Sequence, residues 1–166
     1  MNFQFGKLHE DEYTTFQILN NAQKIAAINR ILHAYMQTSN SIMRREIKQK
    51  RIEDNLDAYN KSSNFFAKID EEIEIKSRRR YLENCIELAG KVYYSNGNEK
   101  EEQLLYISNL YKENYDLYIN RIQKITINEK EIEILDLLIK AYEEMKISGI
   151  LIPKYWQQLE KIIQKD

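Results

Sequence analysis

One cysteine, one proline and four glycines are all that 166 residues hold of the types that staple, break and turn a chain. Each scarcity excludes something. With Cys85 alone there is no internal disulfide and no thiolate metal cluster. So few glycines and prolines cannot supply the tight turns of an all-β protein. The two histidines, His9 and His33, belong to neither the His-Glu-x-x-His zinc pattern nor the Glu-x-x-His di-iron pattern. His9 stands beside Glu10, Asp11 and Glu12, too sparse a set to define a metal site. A glycine-rich phosphate loop is missing as well. No apolar run reaches bilayer-spanning length, and the start, MNFQFGKLHEDEY, lacks the basic-then-apolar order of a signal peptide. Lys and Arg (25) nearly cancel Asp and Glu (26), so at a net charge of −1 no global field draws the chain to nucleic acid or membrane. These absences lead us to expect a cytoplasmic, non-enzymatic protein with no cofactor, no metal and no membrane partner.

What is present fits a globular helical domain. Apolar residues make up 43% and charged residues 31%, which argues against disorder. The chain reads as a single domain over 1–166, with 1–11 as a flexible N-terminal segment. Heavy use of Ile, Lys, Asn and Tyr suggests an AT-rich coding genome of bacterial, phage or mobile-element type.

Helical periodicity organises the rest. Over 12–37, Ile18, Ala22, Ile25, Leu32 and Met36 form one stripe, and Ile28, Ile31 and Tyr35 form another beside it. So wide an apolar arc predicts a central helix with neighbours on several sides. Asn29 and His33 share that face and read as a polar pair in the core. The segment 41–61 is more weakly apolar and is expected to be more exposed. Over 64–95 the apolar face switches sides, which predicts one long helix with a joint near 76–80. Asn96-Gly97 reads as a turn, with Asn98 capping a helix to about Ile125. Asn128 and Glu131 form a capping-box pattern for a helix to about Lys146, and Gly149 stops it. Pro153 opens a short last helix carrying Trp156, Leu159, Ile162 and Ile163. The fold class is therefore all-α: an irregular bundle of five or six helices, with a central N-terminal helix and a C-terminal helical hairpin plus a short last helix.

Two constellations qualify as candidate sites. The first is YISNLYKENYDLY, residues 106–118, with Tyr106, Tyr111, Tyr115 and Tyr118. Tyr111, Tyr115 and Tyr118 share a stripe with Leu104, Ile107, Ile122 and Ile125, so the run reads either as a core seam or as a protein interface. The second is basic. Arg44, Lys48 and Arg51 fall on one helical stripe, and Arg78, Arg79 and Arg80 form a second cluster. Three cations on a stripe can track a phosphate backbone, although no aromatic interleaves to stack bases. Three consecutive arginines cannot share one face, so at least one must lie near an apolar side. Cys85 sits among Leu82, Ile86 and Ala89 and reads as a buried thiol. The function expected is binding of a protein partner, as a regulator or inhibitor that also self-associates. A helical nucleic-acid-binding subunit using the basic clusters is the alternative.

Overall fold

A computed structural model describes residues 6–30 and 47–164. Among them are six α-helices, a 3₁₀ turn and no strand: α1 (Thr15–Asn21), α2 (Gln49–Phe66), α3 (Glu71–Tyr93), α4 (Lys100–Ile119), the turn at Ile122–Lys124, α5 (Glu129–Ser148) and α6 (Lys154–Ile163). The fold is an all-α bundle.

The helix at its centre is α3. Every residue from Tyr81 to Ile86 is buried, so this stretch has neighbours on all sides. Helices α2 and α4 pack along α3, and α6 crosses near its end. Pairs such as Ser63–Ser77 and Asn55–Asn84 show α2 and α3 running antiparallel, as do Glu74–Arg121 and Arg78–Asn114 for α3 and α4. Helix α5 follows α4 after a short connection and touches it, but the long antiparallel partner of α4 is α3, while α5 pairs with α6. Gly90 makes the α3–α6 crossing close: a Cβ there would lie 2.5 Å from the Trp156 ring.

Local chemistry sets the helix ends. The Asp70 carboxylate accepts the Ile73 N–H at 2.9 Å and starts α3, with Glu71, Glu72 and Glu74 in the first turn, where acidic groups complement the helix dipole. Asn128 and Glu131 close a reciprocal capping box on α5, both bonds at 2.9 Å. Gly149 ends α5 at φ 80°, the left-handed conformation that favours glycine.

Four expectations need correction. The helix expected over 12–37 is short and peripheral: α1 ends at Asn21 and none of its residues is buried. Residues 22–30 are exposed and non-helical, Asn29 among them, so it has no place in a core pair; 31–37, with His33, lies outside the described residues. An amphipathic stripe needs something to pack on, and a short isolated helix is marginal in water. No joint occurs at 76–80. The chain breaks instead at 67–70, so Phe65 and Phe66 belong to α2, and the apparent change of face merges two helices into one. Helix α2 is not the exposed one, since Ile52, Leu56 and Ala58 are essentially inaccessible. Its low apolar content misled because polar pairs with α3 fill the rest of its inner face. Finally, Glu99 and not Asn98 occupies the N-cap of α4, without a side-chain capping bond.

Candidate interaction surface

The tyrosine run is a seam inside the bundle. Tyr111, Tyr115 and Tyr118 are 0%, 6% and 1% exposed. The Tyr111 hydroxyl donates to the Leu138 carbonyl at 2.8 Å, satisfying its polar tip in an apolar setting. Its ring stacks on Tyr115 at 6.1 Å, and Tyr115 stacks on Tyr142 at 3.9 Å. Tyr142 in turn donates to Asp116 at 3.2 Å. The ladder thus ties α4 to α5. Burial drives the Tyr111 pKa well above its ordinary value and pushes that of Tyr118 up to about 12, so both remain neutral donors at any physiological pH. Three of the four tyrosines offered as interface residues therefore present no surface to a partner. Tyr106 is half-buried beside Tyr81 and Asp57 in a small cleft of about 150 Å³.

The basic clusters do not form a phosphate track either. Arg44 lies outside the described residues, Lys48 is exposed ahead of α2, and Arg51 is buried at 7% exposure. Burial lowers the Arg51 pKa. Arg78 is also buried and bonded to Glu74, to Asn114 at 3.1 Å and to Asn64 at 3.3 Å. Arg79 meets Glu83 at 3.1 Å and Glu131 at 2.6 Å, while the exposed Arg80 pairs with Glu83 at 2.9 Å. Through these arginines α3 is cross-linked to α2, α4 and α5. Glu74, fully buried, is shared between Arg78 and Arg121, the latter at 3.0 Å. Pairing of this kind is what a buried charge requires.

No nucleophile or metal site stands out among the described residues. Burial pushes the Cys85 thiol far above its ordinary pKa, so it is inert as a thiolate. Among the described residues no group of three or more His, Cys, Asp or Glu could hold a metal ion. No helix among them is long and apolar enough to cross a membrane.

The N-terminal segment carries the feature that sequence reasoning missed. Residues 7–13, expected to be flexible as far as 11, are fastened to α2. Lys7 reaches Asp54 at 2.9 Å and Asp57 at 3.3 Å. The Leu8 N–H donates to Asp54 at 3.0 Å, and the buried Tyr13 hydroxyl donates to Asp57 at 2.7 Å. Lys50 and Lys61 complete the clasp at 2.8 and 3.1 Å. Burial works to raise the Asp54 pKa, but bonds from Lys50, Leu8 and Lys7 outweigh it and pull the value down to about 2. Phe16 then packs against Phe65 and Phe66 with ring centroids 5.1 and 6.1 Å away. The available signal was the spacing of Asp54 and Asp57, i and i+3 on one helix, which puts two carboxylates on one face. Nothing in the pattern located Lys7 and Tyr13 opposite them.

Beyond the clasp the same segment turns apolar side chains to solvent. Ile18 is 50% exposed, Leu19 48%, Ile25 69% and Ile28 61%. A tethered run of large aliphatics is thus left outside the core.

No family model, no curated protein and no solved structure matches this chain.

Proposed function

We propose that this protein works by contact, as a non-enzymatic, cytoplasmic regulator or inhibitor that binds a protein partner through the segment at 15–30. One observation carries the reading: Ile18, Leu19, Ile25 and Ile28 follow a helix-compatible apolar pattern yet stand exposed on a segment clasped to the bundle. Such a segment gains helix and burial together when a partner supplies the missing surface, so folding and binding are coupled. The clasp lowers the cost of that ordering by holding the segment's start in place. The bundle beneath is the scaffold, and its shifted titratable groups serve internal pairs.

Capture tests this. The tagged full-length chain and an Ile25→Asp/Ile28→Asp variant are expressed in the native host, cross-linked and purified. The wild type is expected to retain a partner that the variant loses. Equal recovery from both would overturn the reading. The nucleic-acid alternative has lost its motivation with the burial of Arg51 and Arg78.

A further inference from the structure

We infer that the partner of the exposed segment is a second copy of this chain: residues 22–30 of one protomer dock as a helix in the cleft between α1 and α2 of the other, reciprocally. This rests on the protein-binding reading above and names its partner.

The cleft has a volume of about 350 Å³. Phe16 and Leu19 of α1 and Tyr59 and Phe66 of α2 line it, together with Glu12 and Arg80. Its lining thus joins large apolar side chains to charged and hydroxyl groups. The segment matches on both counts. As a helix, Ile25 and Ile28 at i,i+3 project from one face, the spacing of a helix-in-groove anchor pair. Lys24 and Arg30 flank them with no acid between. Glu12 lines the cleft, and Glu10 and Asp11, the two residues before it in the chain, are exposed as it is. Among the described residues none of these charged groups is in an ion pair with another, and opposite charges of this kind are what a complementary surface uses. The one opposing charge, Arg80, is already held by Glu83.

Docking within the same chain meets an obstacle. The segment follows directly from α1, which is itself a wall of the cleft. Doubling back would require a reversal within NNAQK at 20–24, whereas the chain leaves α1 extended at Ala22 and none of residues 22–30 lines the cleft. A second copy has no such constraint. Because each protomer carries both the segment and the cleft, the exchange is isologous and closes as a two-fold dimer.

Sedimentation of the purified full chain, with charge exchange in trans, tests the inference. The wild type is expected to form a concentration-dependent dimer, and Ile25→Asp/Ile28→Asp to weaken it about 30-fold or more, as loss of hot-spot anchors does. Lys24→Glu/Arg30→Glu alone and Glu10→Lys/Glu12→Lys alone should each be weakened. Mixed, they should recover a heterodimer, because both docked pairs then carry opposite charges. A wild type that stays monomeric at every concentration overturns the inference, as does a dimer that the mixture fails to restore. If the chain is monomeric but Ile25→Asp/Ile28→Asp still abolishes capture of another protein in the host, only this inference falls. If capture is unaffected too, the protein-binding reading falls with it.

Discussion

Two parts of this chain carry the same apolar periodicity and meet opposite fates. In α4, Leu104, Ile107, Tyr111 and Tyr118 form a stripe that is at most 3% exposed. In the N-terminal segment, Ile18, Ile25 and Ile28 form an equally regular pattern and are at least 50% exposed. Propensity and periodicity do not separate them; the presence of α3 and α5 against one, and of nothing comparable among the described residues against the other, does. The attachments differ as well. The bundle is held by apolar burial with internal polar pairs, whereas the N-terminal segment is held by a clasp of lysines, aspartates and one tyrosine. A wheel shows which face wants burial, not whether the chain itself supplies the surface.

Substitutions sharpen that contrast, and the largest effect belongs to the bundle. Tyr111→Ala should cost about 3–5 kcal/mol in urea unfolding, the scale of an aromatic truncated in a core. Tyr111→Phe removes only the bond to Leu138 and should cost about 0.5–1.5 kcal/mol. If truncation proved as mild as loss of the hydroxyl, the seam would not be a core element and the comparison would collapse.

The clasp should fall between the two regions. Asp54→Asn keeps the shape and removes the charge that Lys7, Lys50 and the Leu8 amide serve. A cost of about 1.5–3 kcal/mol is expected, the worth of hydrogen bonds to a charged group. Its pH dependence has a definite sign. The folded Asp54 pKa, about 2, lies below its ordinary 3.8, so its contribution is complete above the ordinary value and is lost as pH falls through 2. Burial and the Asp57 acceptor raise the Tyr13 pKa from 10.0 to about 12, so its contribution is complete below the ordinary value and is lost as pH rises through 12. The clasp should therefore stay shut between about pH 4 and 10 and open on both sides. The Leu8 amide, followed by NMR, reports it. Opening near pH 6 would contradict the assignment.

A smaller effect is expected at the α3–α6 crossing. Gly90→Ala gains about 1 kcal/mol of helix propensity but drives a methyl into the Trp156 ring. Overpacking costs about 1–3 kcal/mol, so the net change should be a loss of at most about 2 kcal/mol. A gain in stability would mean that α6 is free to shift.

Helix content, the α5 capping box, the Gly149 stop and the buried tyrosine stripe were all legible because each depends on neighbours close in sequence. The errors came where distant contacts decide. The α2 face looked weak because Ser63, Asn55 and Asn64 find partners on α3 that no window of α2 contains. Of the three consecutive arginines, one had to lie near an apolar side, and Arg78 is that residue; which groups meet it and Arg79 across the bundle, Asn114 and Glu131 among them, was beyond any local window. Lys7 and Tyr13 are more than forty residues from their partners Asp54 and Asp57, a pairing that periodicity cannot announce.

The smallest effect is also the most diagnostic. Ile25→Ala and Ile28→Ala, made together, should change the stability of the dilute monomer by no more than about 0.5 kcal/mol, as surface substitutions do. Leu104→Ala, at 3% exposure in the bundle, should cost about 2–5 kcal/mol. The same truncation of a large aliphatic thus separates the regions by their surroundings alone. Hydrogen exchange adds the backbone view. Amides over 23–30 lie in exposed, non-helical chain and should exchange rapidly in dilute protein, while those of Tyr81–Ile86 exchange only on global opening. Raising the concentration until the segment is engaged should slow 23–30 and leave 81–86 unchanged. Slow exchange at 23–30 in the dilute monomer would mean that the chain already covers its own stripe, and the difference between the two regions would be one of degree only.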